Sequence, residues 1–368
     1  MRARTRILAA AGITAGLIML TFILPPFTSY QLATVCAYAC AVAGLTLLTG
    51  AGGQLSLGQA AMMAAGAYGY GLSANALAEA GVTGAALLLL PGAAAVAGAA
   101  LLGLLVGLAA ARLHGPYLAG VTMALVVALP AAAGTFSGVL GGEQGLWITV
   151  EKRPTALRGA VGTEQWQAWL AIAAAAVVFV LLANLLAGRF GRSLRAVRDN
   201  EASAALAGIS PARTKVTAFV VSSAAAGTGG GLLAYITQSA GPGAYSLVFS
   251  LFLLMAAVVG GLGSLSGAAW GALVLVALPH LISTATSALS LSPDLAQRLD
   301  GNLSVAVLGA VLIGVIILAP RGIAGLTPTL RRPVRSRRPP AAPSPALPAA
   351  STAPSGSRHL PVHPKGTP

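Results

Sequence analysis

The sequence predicts an all-α, polytopic membrane protein of about ten transmembrane helices. Composition is the first reason. Of 368 residues, 56% are hydrophobic and only 8% charged, and the mean hydropathy is +0.83. A water-soluble domain carries about 25% charged residues. With so few charges a soluble surface would be largely apolar and would aggregate, whereas hydrocarbon accepts apolar side chains and penalises charges. The second reason is patterning: apolar runs long enough to cross a bilayer at 1.5 Å per residue alternate with short polar connections. The third is where the basic residues fall.

Ten segments qualify, at roughly 7–25, 31–49, 57–78, 83–111, 116–134, 167–187, 216–237, 245–263, 267–288 and 301–319. The first follows a short basic stretch but is long for the apolar core of a secretory signal, so an uncleaved span is expected. The second holds Cys36 and Cys40 on one helix face. No further ligands lie near them and a disulfide within one turn is geometrically poor, so they read as small apolar side chains. The third contains Gly58, Gly66, Gly69 and Gly71. It is a weak helix, with a broken or re-entrant segment as the alternative. The fourth is overlong and holds Pro91, which predicts a kink or tilt.

With the N-terminus inside and ten spans threaded, 18 of the 22 Lys and Arg residues fall inside. Only Lys152, Arg153, Arg158 and Arg298 fall outside, the bias that the positive-inside rule predicts. The net charge of +14 therefore reports topology. The basic residues form no stripe on one domain, so nucleic acid is not an expected partner. Both termini are expected in the cytoplasm. Residues 135–166 form the one long outside loop, and Trp147, Trp166 and Trp169 suit an interfacial belt. The domain reading is a permease domain over 1–326, with a cytoplasmic loop at about 188–215, and a tail over 327–368. Eleven of the 22 prolines lie in that tail, which predicts disorder. Its Arg331, Arg332, Arg335, Arg337 and Arg338 read as a topology anchor or as a contact for anionic membrane lipid.

The spans are nearly empty of ionisable groups. His280 is the main exception, with Arg112 and Glu79 at span ends. This argues against a proton-driven pump, because such pumps need ionisable relays. A sodium-coupled carrier that uses backbone carbonyls stays open. None of the three lysines follows the phosphate-loop pattern. No nucleophile triad, carboxylate pair or metal-ligand array lies in the spans either. The expectation is a non-enzyme with no catalytic residue, no metal and no cofactor of its own.

Three segments carry more specific information. Residues 45–58 read LTLLTGAGGQLSLG, with Gln59 following. A polar, glycine-rich stretch between apolar runs is either a tight turn or unwound backbone lining a translocation path. In the second case Gly53, Gln54, Ser56, Gly58 and Gln59 would supply neutral hydrogen-bonding groups. Residues 189–215 read RFGRSLRAVRDNEASAALAGISPARTK. Arg192, Arg195 and Arg198 recur every three residues, then come Asp199, Asn200, Glu201 and a small-residue run to Gly208. A plain basic anchor does not need that second, Ala-rich helix, so the stretch reads as a docking element for a partner. Residues 259–272 read VGGLGSLSGAAWGA. There Gly260, Gly263, Gly267 and Gly271 have the spacing that lets helices approach closely in lipid.

On these residues the chain resembles the permease family of branched-chain amino acid ABC transporters, and most of all its LivM-type subunit. The matching stretches are TGAGGQLSLGQAAMMAAGAY, RLHGPYLAGVTMAL, GGEQGL, GRSLRAVRDNEASAALAGISPARTKVTAFVVSSAAAG, GGLGSLSGAAWGA and APRGIAGL, in family order from about 45 to 326. The resemblance implies a multi-pass subunit of a bacterial plasma-membrane importer for Leu, Ile and Val. Its implied partners are a second, LivH-like permease subunit, two ATP-binding subunits that hold the ATP, and an extracytoplasmic substrate-binding protein. It also implies that residues 192–208 dock on the ATPase, with EASAALAG resembling the EAA-type loop, and that GQLSLG lies near the path. Gln59 stands where the family often has His. Similar permeases import urea, short amides or other amino acids, and a stand-alone carrier or channel is the reading from another class.

Overall fold

The computed structural model describes residues 3–113, 116–149 and 161–288, positions 153 and 159, and short stretches between 309 and 326. The expected tenth span and the tail fall almost wholly outside these residues. Among the described residues the order is α1 (Ala3–Leu20), α2 (Pro26–Leu45), a π-helical turn (Thr46–Ala51), α3 (Gln59–Glu79), α4 (Ala86–Ala110), α5 (Pro116–Thr135), α6 (Ser137–Leu140), β1 (Leu146–Trp147), α7 (Thr163–Ala187), α8 (Arg189–Asp199), α9 (Glu201–Leu206), α10 (Pro211–Thr237), β2 (Ser239–Ala240), α11 (Leu247–Gly260), α12 (Leu265–Ala288) and a final turn, Ile323–Leu326. The chain is an all-α polytopic membrane protein. Among the described residues, five helical stretches are long and apolar enough to cross a bilayer: Pro26–Ala51, Ala86–Ala110, Tyr117–Thr135, Thr163–Ala187 and Pro211–Thr237.

Nine of the ten expected segments coincide with helices, and the differences are local. The segment expected at 57–78 is a regular helix from Gln59, and the irregular part precedes it at 52–58. The segment expected at 245–263 is shorter than read. The helix α11 has only 14 residues, about 21 Å at 1.5 Å each, against a hydrocarbon core of about 30 Å. Ser246 sets its start by accepting a hydrogen bond from the Phe249 N–H. Pro91 lies inside α4, past the point where the helical hydrogen bonds begin with Leu89 N–H to the Ala85 oxygen, so its missing N–H leaves one bond of the ladder unmade.

The core is built on α10, which packs against α4, α3 and α2. Small residues permit it. A Cβ placed on Gly66 would lie 2.4 Å from the Gly227 Cα, one on Gly229 would lie 2.3 Å from the Ala37 oxygen, and one on Gly230 would lie 1.9 Å from the Met63 oxygen. These helices touch backbone to backbone. Lipid tails are as apolar as Leu, so association in a bilayer rests on such close packing. Long apolar side chains point the other way: Leu89, Leu101, Leu105 and Leu108 of α4 are exposed, as a hydrocarbon-facing surface requires.

The helix α1 lies antiparallel on α7. Near one end the Trp169 indole N–H donates to Thr21 Oγ1 at 2.8 Å, and near the other Arg6 donates to the Ala183 oxygen at 3.1 Å. Arg6 therefore lies at the same end as α8 and α9. At the opposite end β1 and β2 pair antiparallel, Leu146 with Ala240 and Trp147 with Ser239. Asn75 at the end of α3 fastens this ribbon: its amide donates to the Trp147 oxygen, and its oxygen accepts from the Thr149 N–H.

Candidate functional site

The GQLSLG stretch is unwound. After the π-turn, residues 52–58 follow no regular helix until α3 begins at Gln59. Backbone groups freed from a helix must find other partners inside a membrane protein. Two hydroxyls from distant helices supply them. Thr122 Oγ1 of α5 accepts from the Leu57 N–H at 3.0 Å. Ser250 Oγ of α11 donates to the Leu57 oxygen at 2.6 Å and accepts from the Ala60 N–H at 3.4 Å. Ser56 Oγ accepts from the Gly58 N–H. Gly58 lies hard against Thr122, whose Cβ would be 3.0 Å from any Cβ added there.

The polar side chains of the stretch point inward. Gln54, Ser56 and Gln59 are all buried. Gln59 Nε2 donates to the Ala41 oxygen of α2 at 2.8 Å. Both polar atoms of the Gln54 carboxamide are buried and have no hydrogen-bond partner in this state.

Sequence order hides what faces this stretch. The helix α8 buries Gly191, Leu194 and Val197 and leaves Arg192, Arg195 and Arg198 exposed, as a three-residue spacing of arginines on a surface helix requires. Arg198 turns back toward the unwound stretch. Its Nη1 donates to the Gly50 oxygen at 2.9 Å, while Nε and Nη2 donate to Asp199 Oδ1 at 3.1 and 3.0 Å. Gly53, at φ +65, lies against the aliphatic stem: a Cβ there would be 2.4 Å from Arg198 Cγ. Asn200 caps α9 by accepting from the Ser203 N–H at 2.9 Å. Lys215, 5% exposed on α10, pairs with Glu201 Oε1 at 2.6 Å. Gly208, at φ +81, ends the element in a left-handed turn.

These groups share one cavity of about 630 Å³. Gly53 and Gln54 line one side, and Arg198, Asp199, Asn200, Glu201 and Lys215 line the other. The two stretches that the sequence presented separately are therefore neighbours. The third stretch splits in two. Gly260, Gly267 and Gly271 hold α11 against α12: a Cβ on Gly260 would lie 1.9 Å from the Gly267 oxygen, and one on Gly271 1.9 Å from the Ala256 oxygen. Gly263 is a turn residue at φ +89 with open space where a Cβ would go, and its own backbone nitrogen lies 2.3 Å from the position of a Cβ on Gly50. His280 is exposed beside the Phe27 ring, 5.2 Å between centroids, and does not face the core.

The stretch is unwound, clamped internally by hydroxyls and in contact with a polar surface loop. Residues 27–316 match the family described as the branched-chain amino acid transport system / permease component. The chain belongs to this family. The permease is 27% identical over 305 residues to the high-affinity branched-chain amino acid transport system permease protein LivM of Escherichia coli (strain K12), covering 77% of this chain and 67% of that protein. The protein of that name from Salmonella typhimurium is also 27% identical, over 307 residues, with the same coverage. No solved structure matches the permease.

Sequence reasoning missed Thr122, Ser250 and Lys215. A single hydroxyl inside the apolar run LVFSLFLLM is a visible signal, but not one that names its partner. In the permease carrying both Ser250→Ala and Thr122→Val, the Leu57 carbonyl loses its donor and the Leu57 N–H its acceptor. Each orphaned group costs about 1–3 kcal/mol. Hydrogen–deuterium exchange at Leu57 and Ala60 is expected to speed up by at least roughly tenfold while the helices keep their protection. Unchanged exchange at those two amides would show that the hydroxyls do not clamp the stretch.

Proposed function

We propose that this permease is one membrane-spanning subunit of an ATP-driven ABC importer that brings branched-chain amino acids into the cell. In this reading a second, LivH-like permease completes the pathway. Two ATP-binding subunits supply the energy, and an extracytoplasmic substrate-binding protein delivers Leu, Ile or Val. The observation that carries the reading is α8–α9. This loop element presents an arginine face and an exposed apolar side chain, Leu206 at 91%, at one end of the molecule, while Arg198 within it reaches the unwound stretch. A loop so built suits a partner that pushes on it.

The same reading places α8–α9 and both termini in the cytoplasm of a bacterial cell. The juxtaposition of Arg6 with the end of α7 supports a shared side for the N-terminus and the loop. The permease domain is taken as 1–326, with 327–368 as a cytoplasmic tail. ATP acts from outside this chain, because alternating access needs only that the loop be displaced. Residues 52–59 lie along the path, and the buried, neutral groups there fit an uncharged, largely apolar route.

One feature favours a second reading. A carboxamide such as the unpartnered one of Gln54 is complementary to urea and short amides. Both are tested together by uptake of labelled leucine and labelled urea into vesicles that carry the permease with its co-expressed partner subunits. The expected result is leucine uptake only when ATP is present. Urea uptake without leucine uptake would select the second reading. Uptake of either by the permease alone and without ATP would replace both by a stand-alone carrier or channel.

A further inference from the structure

The loop and the unwound stretch meet through only a few side chains, and one of them is built as a strut. Arg198 leaves α8 near its last turn and spans to residues 50–53. Its guanidinium is held at two points. Nη1 bonds the Gly50 oxygen, and Nε with Nη2 forms a fork on Asp199 of its own helix. A guanidinium held in that plane has little freedom to swivel, unlike a lysine ammonium. Its methylene stem fills the space where a side chain at position 53 would begin. One turn earlier Leu194, fully buried, touches the same stretch: a Cβ on Gly52 would be 3.3 Å from Leu194 Cδ1. The helix therefore grips the stretch at two points four residues apart, along one side of α8.

Two further facts make the contact mechanical. The cavity of about 630 Å³ lies between the stretch and residues 199–201, so the stretch has room to move toward or away from the loop. The far end of the stretch is fixed by Thr122 and Ser250. A segment fixed at one end, gripped at the other and flanked by free volume has the geometry of a lever. An arginine stem can push as well as pull, because Gly53 offers no side chain to yield.

We propose that Arg198 is the positioning residue that converts displacement of α8–α9 into displacement of residues 50–54. The inference rests on the importer reading, in which a partner moves the loop, and adds the part that carries the motion inward. Leu194 serves as the pivot. Gly50 and Gly53 are glycines because the strut and the Gly263 turn occupy the space that side chains would need.

Two measurements test it. In proteoliposomes holding the complete transporter, Arg198→Ala should leave the ATP-binding subunits co-purifying at the normal yield and hydrolysing ATP. Substrate imported per ATP should fall by roughly tenfold, in the range of ordinary coupling energies. Arg198→Lys, which keeps a stem and one donor but not the fork on Asp199, should recover only a minor part of the loss. An unchanged import-to-ATP ratio in Arg198→Ala would overturn the proposal, and so would loss of the ATP-binding subunits in parallel with import, which marks a structural residue. The second measurement needs no partner. Spin labels at Leu55→Cys and Arg192→Cys, in a permease with Cys36→Ala and Cys40→Ala, report the distance between stretch and loop. Adding Arg198→Ala should broaden that distribution about twofold. An unaltered width rules the strut out even where the wild-type permease recruits no ATPase, an outcome that would sink the importer reading separately.

Discussion

Gly230→Ala should prevent the permease from folding into a monodisperse species in detergent. In a helix interior Ala is favoured over Gly by about 1 kcal/mol, so propensity alone predicts a gain. Packing reverses the sign. The added Cβ would lie 1.9 Å from the Met63 oxygen, 2.7 Å from its carbonyl carbon and 2.9 Å from its Cα. All three are backbone atoms, so no rotamer change relieves the overlap. Separating α10 from α3 would also disturb the Gly66–Gly227 and Gly229–Ala37 contacts on the same helix. Overpacking that forces backbone shifts costs about 1–3 kcal/mol and sometimes more, a large share of an ordinary folding stability. Gly120→Ala on α5 is the control, because nothing lies within 4 Å of its added Cβ. Size-exclusion profiles and melting curves should separate the two variants, the first collapsing and the second matching the wild type. A Gly230→Ala protein that melts with the wild type would show that α10 and α3 do not touch at this point.

On the proposed importer reading, Leu206→Asp should abolish recruitment of the ATP-binding subunits without harming the permease itself. Deleting residues 193–208 is a blunter version of this test. It would also remove Leu194, Val197 and Ala204, which are buried, so loss of binding would not separate docking from collapse. Leu206 is different: its side chain is 91% exposed at the end of a six-residue helix. Covering a Leu gains about 1.5–3 kcal/mol, and forcing a carboxylate into the same apolar contact adds a desolvation cost. Together these should weaken the complex at least roughly 100-fold, enough to lose it in pull-down from dilute detergent extract. The variant's melting temperature should stay within about 1 °C of wild type, since an exposed site away from the core seldom matters to folding. Normal co-purification of the ATPase with Leu206→Asp would remove α9 from the docking surface.

Much of the fold was legible because lipid imposes a simple grammar. Apolar length sets a span, and it does not depend on tertiary contacts. That is why α4, α5, α7 and α10 match their expected limits to within a few residues. The end points of α3 and α11 were harder. Each is decided by a distant hydroxyl or a cap, and a serine in an apolar run does not announce which backbone group it will satisfy. The glycines divide in the same way. Gly260, Gly267 and Gly271 sit where their spacing suggests, but Gly263 is left-handed and turns the chain instead. The run at 229–231 makes some of the tightest contacts in the molecule, yet three adjacent glycines read as easily as a break in a helix. The neighbourhood of Arg198 and Gly53 was out of reach altogether, because it joins positions about 145 residues apart through folding of the whole bundle.

The thin seam between α1 and α7 has a consequence for synthesis. Trp169 emerges 148 positions after Thr21, its hydrogen-bonding partner. At about 5–20 residues per second the ribosome needs roughly 7–30 s to make that interval. Through all of it the first helix has to reside in the bilayer without its mate, held by its own solubility in hydrocarbon. Its apolar side chains, spread around the whole circumference rather than gathered on one face, equip it for that wait.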